Sequence, residues 1–561
     1  MSDDDEFQLG LVMAGAISAG AYTAGVMDFL IEALDGYYAA RERPDWTGPR
    51  HRVSVPVLAG ASAGGMTSAI SAVHFMHDLA HQRPGADPVS ARTNQLYNSW
   101  VREIDIKKLL GTRDVANRKA LVSALDSTAL WEIAKGALEA EGEKRKRPWV
   151  ADPLAVYLTV ANLRGVPYGF QLYGTGTSDA YGMTNHMDDM RFAVAWQAAA
   201  PAGFIPLDPN DCPGGNWPKL ARAALATGAF PIGLSPQILD RDADDYYGRT
   251  EMRDPAFGEA KPDSYEFVCV DGGLMNNEPL ELARRHLSGG SDERNPRDGE
   301  EARRAVIMID PFPNRIEFDR HPSNDDRLRS ILPQMFGALV DQARFKPEEL
   351  MLAEKSNVFS RFMISPSRRN ADGRQVEYAI ASATLGGFGG FFEESFRRHD
   401  YLLGRKNCRS FLLRYLALPE TNPLFRNLTA EQRERWYVRE RNGERRMLPD
   451  SKGAPHPGLP IIPLTEDLAA DEDIPVAERP KPEQVDMDHL REQVRARVRA
   501  LGDVAIEEEL RPILNGLLRF AGKLVLRWSL ERKVTDRIMA SVEGGLAPLR
   551  DPDRPAVRNG R

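Results

Sequence analysis

Apolar positions along the chain change period repeatedly, and the changes outline a layered fold. FQLGLVMAG (7–15) is an almost unbroken apolar run of strand length, with acidic residues before it and glycine at its end, which predicts a buried strand. In AGAYTAGVMDFLIEAL (19–34), Tyr22, Val26, Phe29, Leu30 and Ala33 recur at helical spacing. RVSVPVL (52–58) predicts a second strand; Pro56 marks a bulge or strand end, because proline removes a ladder donor. A helix to about residue 79 follows. Residues 88–145 read as helices, LYNSWVREIDIKKLL and STALWEIAKGALEAE among them. Strands return at LAVYLTVANL (154–163) and VPYGFQLYG (166–174). PKLARAALATGAFPIGLSP (218–236) predicts a short helix ending at Gly228 and then an apolar, proline-bearing loop. YEFVCV (265–270) predicts a strand running into DGGLMNNEPLELARRHL, where Asn276 or Asn277 caps a helix with Pro279 in its first turn. RRAVIMIDPFP (303–313) closes the series as another strand. Strands alternating with helices predict an α/β fold with a mainly parallel sheet. Chemistry in such sheets gathers at the carboxyl ends of strands, where Ser62 and Asp271 both fall.

The pattern weakens beyond that point. Residues 325–418 read as mostly helical, interrupted by GGFGGFF (386–392). Residues 421–487 read as a linker or irregular region, 488–550 as a C-terminal helical region, and 551–561 as a disordered tail. At 561 residues the chain is too long for one ordinary core, so two domains or one large decorated domain is expected. Its 42% hydrophobic and 27% charged residues are ordinary for a soluble globular protein, and a net charge of −8 weighs against broad nucleic-acid binding. Cys212, Cys269 and Cys408 lie far apart, without metal-site spacing, and fit a reducing compartment. The acidic opening MSDDDEF lacks the basic start of a secretory signal, which points to a cytoplasmic protein. The uncharged run 7–27 is long enough to raise a membrane span, but its glycines, alanines and missing cationic flank favour a buried strand, turn and helix.

Three short stretches carry candidate chemistry. Gly60-Ala61-Ser62-Ala63-Gly64 matches G-x-S-x-G between a strand and a helix, where a serine hydroxyl projects clear of the backbone beside unpaired helix N–H groups. An ordinary helix-capping serine would read the same way. Asp271, followed by Gly272 and Gly273, puts a carboxylate at a strand end with room for another backbone to approach; an Asp-Gly turn is the plain alternative. MAGAISAGAYTAG (13–25) is a small-residue turn able to aim backbone N–H groups at a carbonyl oxygen, or simply to let a helix pack closely on the sheet. A serine needs a base. Of the histidines that follow Ser62, His286, His321 and His399 sit in polar or helical settings, His286 on a solvated helix face, so Asp271 is the stronger candidate.

In this order the three stretches resemble the patatin-like phospholipase family of lipid acyl hydrolases. ALATGAFPIGLSP and LTVANLRGVPYGF are similar to two further segments of that family, so the resemblance spans about residues 9–313. LGGFGGFFEESFRRHDYLLGRKN extends it, through bacterial patatin-related proteins, to about residue 418. The resemblance implies a three-layer α/β/α catalytic domain over 1–420, with a helical insertion at about 88–150 that forms a lid or extra layer. It implies Ser62 as nucleophile, Asp271 as its base, and an oxyanion hole at Gly15, Ala16 and Ile17, with no metal or other cofactor. Ala19 stands where the family has arginine, and Ala16 and Ile17 where it has glycines. The implied activity is hydrolysis of lipid carboxylic esters, of phospholipase A or lysophospholipase type, on a lipid or phospholipid substrate. A Ser-His-Asp esterase and a non-catalytic lipid- or partner-binding protein with a degenerate oxyanion loop are the alternatives. The basic, apolar stretch 510–534 reads as a core helix or as a peripheral contact with the inner membrane surface.

Overall fold

The computed structural model describes residues 5–116, 121–170, 181–249, 252–291, 295–312, 331, 334, 335, 338, 357–470, 473–475, 478–509 and 531–556. Among the described residues nine strands form one sheet: β1 (Glu6–Met13), β2 (Arg52–Gly60), β3 (Val150–Phe170), β4 (Tyr181–Val194), β5 (Ile205–Leu207), β6 (Gln237–Asp242), β7 (Ser264–Asp271), β8 (Arg304–Ile309) and β9 (Arg361–Ile364). The order is β5-β4-β3-β2-β1-β8-β9, and the run from β3 to β9 is parallel throughout. β4 runs antiparallel along β3 from Leu154 to Phe170, β7 pairs antiparallel with β3 at residues 160–162, and β6 pairs antiparallel with β7.

Alternation decides which side chains face which layer. Val12, Val57, Ala59, Ala155, Tyr157, Val306 and Met308 share one face, beneath α5 (Leu280–Leu287). Leu11, Met13, Leu58, Val156, Leu158, Ile307 and Ile309 point the other way. That second face is covered by α1 (Gly20–Arg41), α2 (Ala63–His74) and, behind α1, α6 (Glu394–Arg414). Pro56 lies in a bulge, as its missing N–H predicts. The register with β1 and with β3 shifts there, and the strand's buried parity flips from Val53 and Val55 to Leu58. The architecture is therefore the three-layer α/β/α expected, with helices on both sides of a mainly parallel sheet. The helix spanning 17–41 is apolar enough to cross a membrane, yet 94% of its most apolar window is buried inside the protein.

Several elements differ from expectation. The two strands read at 154–163 and 166–174 are, as far as Phe170, one long β3 with a register shift between Ala161 and Val166; residues 171–174 lie outside the described residues. The helical insertion is broken into short pieces, including a π-helix at Asn98–Glu103 and α3 (Thr128–Ala137). Neither Asn276 nor Asn277 caps α5; the N-cap is Pro279. The region 325–418 contributes β9, too short and too flanked by polar residues to stand out as periodic. Residues 421–487, expected to be a linker, hold a helix (Ala430–Trp436). They also supply two of three strands in a small sheet: β10 (Ala417–Pro419), β11 (Met447–Pro449) and β12 (Pro455–Pro460). Their apolar residues are spread thinly but buried, Phe425, Val438, Leu459, Ile461 and Ile462 among them, and the Ile461 carbonyl meets His51 Nε2 at 2.8 Å. Helices at Met487–Glu509 and Glu531–Leu546 follow. The expected disordered tail is ordered over 551–556, where Glu377 and Ala556 donate to the Arg554 and Gln375 carbonyls. Residues 557–561 and most of 510–534 lie outside the described residues.

Candidate active site

Two strand ends meet over the middle of β3. Along one edge, β3 pairs with β2 as far as Leu158, opposite Gly60. From Val160 its partner on that edge is β7, running the opposite way and ending at Asp271. The carboxyl ends of β2 and β7 therefore run towards each other. Ser62 and Asp271, 209 positions apart, close the gap: Ser62 Oγ donates to Asp271 Oδ2 at 2.6 Å. α4 (Trp217–Thr227) and the turn that follows it supply a frame for both. The last residue of α4, Thr227, accepts from the Ser62 N–H through Oγ1 at 2.9 Å, and Asp271 N donates to the Ala229 carbonyl at 2.9 Å.

Ser62 has φ 52 and ψ −128, a conformation that L-residues rarely adopt and that a strand-to-helix elbow imposes. The glycines make that turn possible by leaving space. A Cβ on Gly64 would lie 2.1 Å from the Met13 carbonyl oxygen, and one on Gly60 would lie 2.5 Å from the Gly64 carbonyl oxygen. At the other strand end, a Cβ on Gly272 would meet the Thr159 carbonyl oxygen at 2.1 Å. Gly273 donates its N–H to Asp271 Oδ1 at 2.7 Å. Burial pushes the Asp271 carboxyl up to about 6, partly offset by the hydrogen bonds from Ser62 and Gly273. At neutral pH it is still mostly ionised, and so able to take a proton.

The histidines go elsewhere. His286 is not on a solvated face: its Nδ1 lies 3.3 Å from the Tyr157 hydroxyl beneath α5, and burial lowers it to about 4. His399 pairs with Asp400 at 2.9 Å inside α6, where Asp400 also holds the backbone of Ala381 and Ser382. His321 lies outside the described residues.

The turn after β1 runs alongside the serine. A Cβ on Gly15 would stand 3.0 Å from the Ser62 Cβ and 2.2 Å from Asn277 Oδ1. The Gly15 N–H already donates to the Asn277 carbonyl at 3.3 Å. Ala16 (φ −149, ψ 15) and Ile17 (φ 47) then turn the chain into a 3-10 turn at Ile17–Ala19. A β-branched residue at positive φ is a strained conformation, and strain of this kind clusters at functional turns. It is held from behind: Ser18 Oγ donates to the Gly387 carbonyl at 2.5 Å and accepts from Gly390 N at 3.0 Å. The glycines of GGFGGFF thus have a reason, since a Cβ on Gly390 would collide with Ser382 Oγ at 2.4 Å.

Ser62 and Asp271 open into a narrow cavity whose other walls are apolar, among them Ile17, Trp100, Leu125, Phe230 and Phe391. Trp100 and Leu125 come from the stretch 88–150. Sequence reasoning missed Thr227, Asn277 and Ser18 as supports. Thr227 sits inside ALATGAFPIGLSP and Asn277 follows the DGG turn, but only tertiary contact reveals what either one holds.

A family model described as patatin-like phospholipase matches residues 11–284, and one described as a protein of unknown function (DUF3376) matches residues 350–518. The uncharacterized protein y4iI of Sinorhizobium fredii (strain NBRC 101917 / NGR234) is 36% identical over 514 residues, covering 82% of this chain and 71% of that protein. The crystal structure of VipD from Legionella pneumophila aligns over 98% of this chain and 89% of that one. At 12% identity and a TM-score of 0.25, the resemblance is too slight to bear on the fold.

Proposed function

The chain belongs to the patatin-like phospholipase family, and from that membership we propose that it is a serine lipid acyl hydrolase working through Ser62 and Asp271. The observation that carries this reading is the 2.6 Å bond from Ser62 Oγ to the buried Asp271 carboxylate. Asp271 takes the hydroxyl proton as Oγ attacks the ester carbonyl, and the N–H groups of Ala16 and Ile17 receive the developing oxyanion. The alcohol departs with the proton from Asp271, leaving an acyl-serine. Asp271 then deprotonates a water, which attacks the acyl carbonyl and releases the carboxylic acid and free Ser62. Phospholipids and lysophospholipids are the proposed substrates, because the walls around Ser62 are apolar and, among the described residues, no cation lines the cavity to hold a small charged ester.

We place the reaction at a membrane surface inside a reducing compartment. The three cysteines are free and buried. Ile232 stands 85% exposed at φ 68, its carbonyl accepting from Ala124 N, on the loop whose Phe230 and Leu234 line the cavity. A bilayer would cover that apolar rim, and Ile232→Glu then weakens liposome flotation; flotation equal to wild type sinks this placement.

A fluorophosphonate probe with a phospholipid hydrolysis assay tests the central reading. Wild type labels and hydrolyses; Ser62→Ala does neither while keeping its thermal unfolding profile. Hydrolysis surviving in Ser62→Ala would overturn it.

A further inference from the structure

We propose that Arg497, on the helix Met487–Glu509, is a positioning residue that fixes the width of the entrance to the Ser62 cavity, and that the entrance it holds favours single-chain lipid esters over two-chain ones. The inference rests on the hydrolase reading above.

Two loops form that entrance, and each runs from solvent into the cavity. One passes from exposed Leu121 and Val122 to Leu125 on the cavity wall. The other passes from exposed Ile232 to Gly233 and Leu234 on the wall. Hydrogen bonds stitch the loops together. Ala124 N donates to the Ile232 carbonyl at 2.7 Å, and Leu125 N to the Gly233 carbonyl at 2.9 Å. Ser235 N donates to Ser127 Oγ at 2.9 Å, and the Ser123 and Ser235 hydroxyls meet at 3.1 Å.

The first loop is gripped by a residue far along the chain. Arg497 is only 2% exposed. Its Nε donates to the Ala124 carbonyl at 2.9 Å and its Nη2 to the Ser123 carbonyl at 3.1 Å. Nη1 donates to the Gly111 carbonyl at 2.7 Å, and both Nη atoms reach Asp114, Nη2 to Oδ2 at 2.9 Å. Every N–H donor of the guanidinium thus has an acceptor. A rigid planar fork ties segments 111–114 and 123–124 at a fixed separation, which the single ammonium of lysine could not do. Both segments lead to the wall: Leu109 lines the cavity, and its carbonyl accepts from Asp126 N at 2.7 Å.

The helix aims this one arginine inward. Arg497 shares a buried stripe with Leu490 and Val494. Arg495 and Arg499, each two positions away and so about 200° round the helix, turn outward and pair with Glu531. Stability alone does not account for Arg497, because a buried ion pair gains little over apolar residues of the same volume. Its placement on the entrance does. The segment matched as a protein of unknown function, 350–518, thereby completes the site: Phe388 and Phe391 line the cavity, and Arg497 pins its entrance. A narrow entrance held rigid selects by cross-section, and one chain is slimmer than a pair. The bonds that hold Ser62 and Asp271, to Thr227, Ala229 and Gly273, lie outside the clamp, so loosening it leaves the chemistry in place.

Arg497→Met and Asp114→Asn are compared with wild type on lysophosphatidylcholine and on diacyl phosphatidylcholine of the same chain length, both in Triton X-100 micelles. Wild type should favour the single-chain lipid. The ratio of kcat/KM for the two-chain over the single-chain lipid should rise about tenfold in Arg497→Met and about threefold in Asp114→Asn, with kcat on the single-chain lipid within about threefold. Arg497→Lys, which keeps the charge but not the fork, should fall between wild type and Arg497→Met. Amide exchange across 121–127 and 230–235, read by mass spectrometry, should quicken about tenfold in Arg497→Met while α2 is unchanged. Asp114→Asn carries the comparison if Arg497→Met fails to fold. A wild type that favours the two-chain lipid, an unchanged ratio in variants that fold, or an equal loss on both lipids overturns this role for Arg497. If wild type hydrolyses neither lipid, the hydrolase reading falls. Exchange then decides whether Arg497 holds the entrance, and unchanged exchange in both loops shows that it does not.

Discussion

At the scale of single residues, Asp271 carries opposite consequences for activity and for stability. As the proposed base it must be ionised, so kcat/KM should fall about tenfold per pH unit below its value of about 6 and level off above it. For the fold, a carboxyl raised above its unfolded value of 3.8 binds its proton more tightly in the native state. Stability therefore falls as pH rises from 3.8 to about 6, and the ionised group costs about 3 kcal/mol at neutral pH. Asp271→Asn removes that charge while its side-chain oxygen can still accept from Gly273. Activity should drop about 10³-fold with the low-pH limb gone, while the melting temperature at pH 7 rises and the gain vanishes near pH 4. A variant that lost both activity and stability at pH 7 would show the carboxylate to be structural. Ser62, Asp271 and their flanking glycines were legible in the sequence because each needs a residue type that few alternatives satisfy. Thr227 was not, because a threonine ending a helix carries no sign of which backbone N–H it will accept from.

At the scale of elements, the site depends on a turn supported from a distant segment. The sequence located β1, β2 and β8 because buried parallel strands are apolar runs that end near glycine or aspartate, and it located the antiparallel β7 by its apolar run ending at Asp271. Even the bulge at Pro56 was readable from the missing donor. β9 and β10 to β12 were not, since three- to six-residue strands have too few turns of their period to rise above chance. The interruption GGFGGFF could be located, but not its partner: its glycines accommodate Ser18 and Ile17, which lie about 370 residues earlier. Ser18→Ala removes both bonds to that segment and loosens the strained turn that carries the proposed oxyanion donors, the Ala16 and Ile17 N–H groups. kcat should fall about tenfold with KM within about twofold, at a stability cost of about 1 kcal/mol. Steady-state kinetics beside denaturant unfolding separate the two effects. Lost stability at unchanged kcat would leave Ser18 as a packing residue only.

At the scale of the whole molecule, the family match ends at residue 284, but the core does not. β8, which completes the parallel run beside β1, and α6, which covers α1, both come later. The two helices touch backbone to backbone, for a Cβ on Gly25 would lie 1.9 Å from the Tyr401 carbonyl oxygen. Charge is buried in the same contact. Arg405 of α6 reaches Glu32 Oε2 at 2.6 Å and Asp28 at 3.0 Å, Tyr401 donates to Asp28 at 2.5 Å, and His81 and Arg83 complete the pairs. Burial alone would raise the Asp28 carboxyl, but Arg405, His81 and Tyr401 hold it well below the usual carboxylate range. A network paired this completely is costly to break from one side, because the remaining charges stay buried. Arg405→Met should lower unfolding free energy by about 3–5 kcal/mol, and replacing Asp28 and Glu32 by leucine in the same chain should return most of it. If α1 and α6 form one cooperative body, urea unfolding followed by tryptophan fluorescence and by far-UV circular dichroism should shift together in Arg405→Met. Separate transitions, with the catalytic half unmoved, would mean that the segment after residue 284 docks on the family domain without completing its core.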